Sequence, residues 1–401
     1  MKPKPIDSKR AGERNERLIL RILRQQGSLS QTELCKMTEL GSSTASSIVS
    51  RLREKGLILE SEGISEKRGP KPVILKINPQ GRTIVAAEID PDFVTIGLFN
   101  FNIESIETQR VALGEEHTVD QVLEGLLEHL TELLEKHHIA KDQILGVGIA
   151  LSGTISPDGR VVLSSIMGWK NVPLKALLSE KMPCPVSLFS TRVRLLAEMG
   201  HNGQGEFDNA LYINVADGVG CHITMNGTLL QGATGRCGEI GHVVLDPNGP
   251  ECGCGHRGCL EAFISGPAIA DKIVQDLSDG KESCLTQAVN NQDNHKSIIV
   301  KWANAISNQD PYAQTLLNDF TECLCKAVTM AVNLYDPDLV ILGGYVNEAC
   351  AEYVQPVLEK AISERVYNSD SRTIQIQPAR VGKQSFIIGA AMGVWQQGIG
   401  V

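Results

Sequence analysis

One histidine and three cysteines near the middle of the 401-residue chain constrain its fold more than any other stretch. His242, Cys252, Cys254 and Cys259 follow one another at spacings of ten, two and five residues. One imidazole and three thiolates are the ligand number and ligand type that tetrahedral Zn²⁺ prefers. The sequence therefore predicts a Cys₃His zinc site, and the chain must fold tightly around it.

Glycines and acidic residues accompany these four predicted ligands. Gly253, Gly255 and Gly258 lie between the cysteines and allow a tight backbone with positive φ at no steric cost. Glu239 and Glu261 flank the ligands on either side. The two carboxylates either brace the zinc loop or form part of a ligand pocket beside it.

Length and composition restrict the class of protein. A chain of 401 residues is too long for one ordinary core, which indicates two or three domains. No apolar run approaches the roughly 20 residues that span a bilayer, and the N-terminus lacks a signal-peptide core. We expect a cytoplasmic protein without membrane insertion. The other eight cysteines are expected to be small core residues rather than disulfide partners.

The net charge of −9 is unevenly distributed. Residues 1–80 contain 16 Lys/Arg and 9 Asp/Glu, whereas residues 81–401 contain 22 Lys/Arg and 38 Asp/Glu. A basic N-terminal segment on an acidic body indicates that only this segment meets a polyanion. The alternative is a basic N-terminus without function.

The apolar pattern of the first 55 residues predicts three helices. The second begins at Ser30 with Glu33 three residues later, which is the capping-box pattern. In the third helix the apolar residues fall on one face. The opposite face presents small polar residues and one cation, namely Ser43, Thr44, Ser47 and Arg51.

Two short strands, at 56–59 and 73–77, are predicted after the helices, with a basic loop at 60–72 that contains Arg68 and Lys71. Helices followed by such a hairpin are typical of a winged helix-turn-helix. We predict groove contacts from Ser43, Thr44 and Ser47. Three cations are predicted to meet phosphates or the minor groove, namely Arg51, Arg68 and Lys71. An ordinary surface helix and a solvated linker are the alternatives.

Beyond residue 78 the pattern changes to alternating strands and helices, which predicts an α/β fold. Apolar strand patterns end in turns that contain glycine at residues 152–153, 217–220 and 343–344. Long helical patterns cover residues 119–138 and most of 267–334.

The stretch from Glu239 through Glu261, with its histidine and three cysteines, resembles the ROK family of repressors, open reading frames and kinases. The resemblance extends over nearly the whole chain, and the winged head is similar to that of the sugar-responsive repressors of bacteria. It implies a two-lobed, actin/hexokinase-like (ribonuclease H-like) domain that closes on a sugar. The implied division is a DNA-binding domain at 1–78, a first lobe at 79–193 to which 380–401 return, and a zinc-containing second lobe at 194–379.

The chain departs from the ROK kinases at three positions that the resemblance makes catalytic. Pro91 stands in the first phosphate turn, where it has no amide proton to donate. Ser190 replaces the catalytic aspartate, and serine is a poor general base. Asp217 lies in the second phosphate turn, which is usually Gly-Thr-Gly. We therefore expect the chain to be no enzyme.

The same resemblance implies contacts with sugar hydroxyls from Gly153, Glu239, His242 and Glu261. Carboxylates suit the many hydroxyl donors of a sugar, and His242 has a second ring nitrogen beside the one that binds zinc. In the ROK kinases the catalytic aspartate belongs to an Asn-Asp pair that also holds sugar hydroxyls, and Phe189 and Ser190 stand at these positions here. A different sugar orientation, or a different ligand, is therefore left open.

These observations favour a DNA-binding transcriptional regulator that responds to a sugar or sugar derivative. It is expected to be a repressor of carbohydrate transport or catabolism genes. The expected partners are double-stranded operator DNA, a small-molecule effector and a second copy, in a homodimer or homotetramer. The alternatives are an active ATP-dependent sugar kinase with an appended DNA-binding head, and a regulator controlled by a protein partner.

Overall fold

The computed structural model describes residues 8–62, 73–113, 118–201, 207–290 and 292–399. The chain divides into two compact units, residues 1–205 with 383–401 and residues 206–382. Residues 194–201, assigned from the sequence to the second lobe, thus belong to the first unit. Arg68 and Lys71 lie outside the described residues.

The N-terminal head of the first unit is a winged helix-turn-helix, as predicted. Its capping box is confirmed, since Ser30 Oγ accepts from the Glu33 amide and Glu33 accepts from the Ser30 amide. The strands form a three-stranded sheet in the order β1-β3-β2. The elements are α1 (Ser8–Gln26), β1 (Leu29–Ser30), α2 (Gln31–Thr38), α3 (Ser42–Glu54), β2 (Ile58–Glu62) and β3 (Val73–Ile77).

The rest of the first unit contains a five-stranded mixed sheet in the order β11-β7-β4-β5-β6 and a small sheet in the order β10-β9-β8. Strands β4, β7 and β11 are parallel, which buries the centre of the sheet. The elements are β4 (Thr83–Ile89), β5 (Phe93–Phe99), β6 (Ser105–Ala112), α4 (Val119–Lys136), β7 (Ile144–Leu151), β8 (Thr154–Ile155), β9 (Val161–Ser164), β10 (Trp169–Val172), α5 (Leu174–Lys181), β11 (Val186–Phe189) and α6 (Val193–His201).

The second unit contains another five-stranded sheet, in the order β14-β13-β12-β15-β16, with long helices around a large apolar core. Strands β12, β15 and β16 are parallel. The elements are β12 (Ala210–Val215), β13 (Val219–Met225), β14 (Thr228–Leu229), α7 (Glu261–Ile264), α8 (Gly266–Ser278), α9 (Leu285–Ala288), α10 (His295–Ser307), α11 (Pro311–Tyr335), β15 (Leu339–Gly343), α12 (Tyr345–Arg365) and β16 (Gln375–Pro378).

The last helix, α13 (Ser385–Gly398), packs against β7 and α6 of the first unit. Close packing requires glycine in β7, because a Cβ at Gly148 would lie 2.7 Å from the Ala390 carbonyl oxygen. A Cβ at Gly146 would lie 3.1 Å from the Val394 side chain. The sheets and helices of the two units confirm the predicted α/β class with a winged head.

The residues of the second unit that were predicted to be functional lie at strand ends and in the segment after β14. β12 ends at Val215 before the turn 216–218, and β15 ends at Gly343, with Gly344 following as the N-cap of α12. The carboxyl ends of parallel strands are where α/β sheets bind ligands. No helix in the described part of the chain is long and apolar enough to cross a membrane.

Candidate functional site

The four predicted zinc ligands lie together in the second unit. The ligand atoms of His242, Cys252, Cys254 and Cys259 are all within 4.8 Å of one another. Cys252 Sγ lies 3.7 Å from His242 Nδ1, and Cys254 Sγ lies 3.7 Å from Cys259 Sγ. Cys252 and Cys259 are buried, whereas His242 and Cys254 are exposed.

These distances fit a single tetrahedral ion. A zinc–sulfur bond of about 2.3 Å places two tetrahedral ligands about 3.8 Å apart. Cys254 Sγ and Cys259 Sγ have almost this separation. The donor set and its spacing therefore suit Zn²⁺.

The loop reaches this geometry through two of the three glycines between the ligands. Gly255 and Gly258 have φ of +90° and +69°, whereas Gly253 does not have positive φ. The Cys252 amide donates to the His256 carbonyl, and the Gly255 amide donates to the Cys252 carbonyl. These bonds form a tight turn that carries Cys252 and Cys254 on the same side.

The local surroundings shift the pKa values of the Cys254 and Cys259 thiols in opposite directions. The backbone and side chain of His256 lower the pKa of Cys254 to about 6, and His256 Nδ1 lies 3.4 Å from its sulfur. Burial raises the pKa of Cys259 to about 12. These surroundings favour the thiolate at Cys254 and the protonated thiol at Cys259, and a bound cation would favour the thiolate at both.

The two flanking glutamates differ in their surroundings. Glu261 begins α7, and its Oε2 accepts a hydrogen bond from the Val219 amide at 2.8 Å. A Cβ at Gly218 would lie 2.9 Å from the same oxygen, so a larger residue there would shift the Glu261 carboxylate. Glu261 therefore fixes the turn between β12 and β13. Glu239 is exposed and precedes the short 3-10 turn Ile240–His242.

Gly153, the fourth predicted sugar contact, lies in the first unit immediately after β7. A Cβ there would lie 2.7 Å from the Leu163 carbonyl oxygen of β9. Ser164 Oγ donates to the Ser152 carbonyl at 2.6 Å and holds this turn in place. The close approach of β9 is thus sufficient by itself to require glycine at position 153.

The exposed face of α3 carries the residues that were predicted to read DNA. Ser43, Thr44 and Ser47 are exposed, and the apolar face of the helix is buried. Arg51 is exposed as well, but its Nε donates to Glu16 Oε1 at 2.9 Å. Lys55 Nζ donates to the other oxygen of Glu16 at 2.8 Å. Glu16 thus connects α1 to α3.

The turn that corresponds to the first kinase phosphate turn is closed by its own hydrogen bonds. The Asp90 amide donates to the Phe93 carbonyl, and the Asp92 amide donates to Asp90 Oδ1. Burial raises the pKa of Glu88, just before this turn, to about 7, with Asp90 adding to the shift and Arg194 opposing it. Together with Pro91, this arrangement offers carboxylates rather than free amides to a phosphate.

The other two positions that the resemblance matched to kinase elements carry Asp217 and Ser190. Asp217 Oδ1 accepts a hydrogen bond from the Tyr345 hydroxyl at 2.8 Å, so a carboxylate occupies the second turn. The Ser190 carbonyl accepts from the Val193 amide at the start of α6, and its side chain remains a neutral hydroxyl. Burial, together with the hydrogen bond to Asp217 and its negative charge, raises the pKa of Tyr345.

Sequence reasoning missed the residues that hold these features in place, namely Glu16, His256 and Tyr345. His256 lies between two predicted ligands, so its position in the cysteine loop was the available signal. Glu16 and Tyr345 act on partners 35 and 128 residues away. No local sequence pattern predicts contacts between residues that are so far apart in the chain.

Comparison with known proteins agrees with this architecture. The ROK family model matches residues 85–397, and the winged helix-turn-helix DNA-binding model matches residues 13–58. The chain therefore belongs to the ROK family, and it carries the DNA-binding head of that family's regulators.

Individual relatives match almost the whole chain. The xylose repressor of Caldicellulosiruptor bescii is 27% identical over 94% of both chains. The DNA-binding transcriptional dual regulator NagC of Escherichia coli is 24% identical over 93% of this chain and 90% of its own. A crystal structure of a ROK family transcriptional regulator, a homologue of the E. coli MLC protein, superposes with a TM-score of 0.80. It is 27% identical and covers 97% of this chain and 96% of its own.

Proposed function

We propose that this protein is a sugar-responsive DNA-binding transcriptional regulator that represses genes of carbohydrate transport or catabolism. The observation that carries this proposal is the exposed polar face of α3, formed by Ser43, Thr44 and Ser47, within a winged head on a ROK chain. The repressors named among its relatives span both the head and the ROK domain. The protein acts in the cytoplasm, where bacterial operators lie.

DNA recognition follows from the geometry of the head. Short hydroxyl side chains reach base edges only when the helix lies deep in the major groove. Their exposure over the buried face of α3 permits such an approach. Arg68 and Lys71 of the loop between β2 and β3 are proposed phosphate or minor-groove contacts. Two heads on a homodimer or homotetramer would read paired half-sites.

Zn²⁺ is the proposed cofactor, held by His242, Cys252, Cys254 and Cys259. Its role is to fix the loop that begins beside Glu239 and leads into Glu261. Because Glu261 in turn holds the turn at Val219, the metal would keep this wall of the second unit in one conformation. Chelation of the metal should therefore weaken the response to the effector.

A sugar or sugar derivative is the proposed effector, with contacts from Glu239, His242 and Glu261 of the second unit. Glu261 uses Oε2 for the Val219 amide, and a carboxylate has further lone pairs for a hydroxyl donor. His242 directs Nδ1 toward Cys252, which leaves Nε2 as the nitrogen for a ligand.

The proposed regulator has no kinase activity. Carboxylates of Asp90 and Asp217 occupy both turns that would receive phosphates, and Ser190 supplies no general base. A coupled assay of ATP consumption with a panel of hexoses, pentoses and amino sugars tests this point. Turnover above the protein-free background would favour the rival function, a sugar kinase with an appended head.

The proposal as a whole is tested by selecting operator DNA from a random library with the purified protein. The selected DNA is then titrated at fixed salt with and without xylose, glucose and N-acetylglucosamine. We expect one sugar class to change the operator Kd. If none does, but extracts from sugar-grown cells do, control by a protein partner replaces direct sensing.

A further inference from the structure

Helix α1 contacts the DNA-reading helix through Glu16. Glu16 is only 8% exposed, and its two carboxylate oxygens accept hydrogen bonds from Arg51 on α3 and from Lys55 directly after α3. A carboxylate that accepts two charge-assisted hydrogen bonds links the orientation of α3 to that of α1. Any displacement of α1 would therefore move the face that carries Ser47.

The C-terminal end of α1 contacts the last helix of the chain. The guanidinium carbon of Arg24 lies 5.0 Å from the centroid of the Trp395 ring, within the range of a cation–π contact. Arg24 Nε is buried and has no hydrogen-bond partner among the described residues. Burial lowers the pKa of Arg24 to about 10, so the side chain remains a cation at neutral pH.

Trp395 in turn belongs to a helix that lies directly on β7. The Ala390 and Val394 positions of α13 touch Gly148 and Gly146, where no side chain intervenes. A Cβ at Gly200 of α6 would lie 2.3 Å from Met392 Sδ and 3.7 Å from Arg24 Nη1, so α6, α13 and Arg24 meet at one point. β7 ends next to the turn that contains Gly153.

We propose that α1 transmits the state of the ROK lobe to the DNA-reading helix, with Arg24 on Trp395 at one end and Glu16 on Arg51 and Lys55 at the other. Arg24 and Glu16 are positioning residues, since they act on DNA through α3. The inference rests on the proposed function in that α3 reads DNA. These contacts form a continuous series within the first unit. They transmit a change from the lobe to α3 only if the residues at the two ends are energetically coupled.

The experiment is a double-mutant cycle between Arg24→Met and Glu16→Gln in the full-length protein. The two residues are eight positions apart, or about 12 Å along a helix, so independent effects should add. The first readout is the amide hydrogen-exchange rate of residues 42–54, which requires neither DNA nor sugar. Arg14→Met, a change at an exposed arginine of the same helix, is the matched control.

We expect Arg24→Met to accelerate amide exchange across residues 42–54 when Glu16 is present. In the Glu16→Gln background, the acceleration caused by Arg24→Met should be less than about half as large. Trp395→Phe, which keeps a ring under the guanidinium, should remain close to the parent. If the effects of Arg24→Met and Glu16→Gln on the exchange rate are additive to within about twofold, the inference is overturned. An equal acceleration by Arg14→Met would also overturn it.

The second readout is the operator Kd with and without the sugar that acts on the parent. Allosteric coupling is typically about 5- to 150-fold, and we expect Arg24→Met to bring this ratio toward 1. An unchanged ratio would overturn the inference. A parent that binds no DNA would refute the proposed function, and the exchange cycle would still decide whether α1 couples the lobe to α3.

Discussion

Replacing Gly258 with alanine should remove zinc from the protein, whereas the same change at Gly255 should not. Both glycines have positive φ, so alanine at either costs about 1–2 kcal/mol of backbone strain. A Cβ at Gly258 would lie 1.5 Å from the Asp246 carbonyl oxygen, while a Cβ at Gly255 meets nothing within 4 Å. Gly255→Ala thus introduces backbone strain alone, whereas Gly258→Ala introduces the same strain and also displaces the backbone from Asp246.

The displacement can be worked out from the contact. Ordinary van der Waals contact begins near 3.4 Å, so the backbone at 258 must move by about 2 Å relative to Asp246. The next residue is Cys259, and metal–ligand distances tolerate only about 0.2 Å. Because one sulfur would leave the coordination sphere, we expect the zinc affinity of Gly258→Ala to fall by orders of magnitude.

The assay compares metal content per chain after dialysis, by elemental analysis, with the rate of zinc release to a colorimetric chelator. Gly255→Ala should retain about one zinc per chain, with a modest decrease in Tm from the strain. Equal zinc retention and equal Tm in the two variants would refute the reasoning about the loop.

Three further predictions concern other parts of the molecule. Glu88 has a pKa raised to about 7 by burial, so the ionised form destabilises the fold as pH rises from about 4.5 to 7. Glu88→Gln should therefore increase the free energy of unfolding above pH 7, by less than about 3 kcal/mol, and change little at pH 4, as measured by urea unfolding. Ser47→Ala should raise the operator Kd about fivefold through the loss of about 1 kcal/mol, and an unchanged Kd would remove Ser47 from the reading face. Arg68→Ala should lower the slope of log Kd against log salt by about 1, while an unchanged slope would exclude a phosphate contact.

The clustering of His242 with Cys252, Cys254 and Cys259 and the winged head were predictable because their signals are local. Cysteine spacing is read directly from the chain, and the Ser30–Glu33 capping box identifies a helix start within four residues. The strand patterns of β7 and β12 and the glycines after them likewise predicted the α/β architecture.

The supporting contacts were not predictable, since they depend on residues far apart in the chain. Arg51 was expected to meet DNA, yet its Nε is paired with Glu16. Nothing near Tyr345 in the sequence indicates that its hydroxyl reaches Asp217. Such contacts follow from the packing of helices on sheets, which periodicity alone does not specify.

The most direct test of sugar-controlled DNA binding is a titration of the selected operator at fixed salt, in the presence and absence of each candidate sugar. We expect one sugar class to shift the operator Kd by about 5- to 150-fold in the zinc-loaded protein. An operator Kd that stays constant across the whole panel would contradict a sugar-responsive regulator.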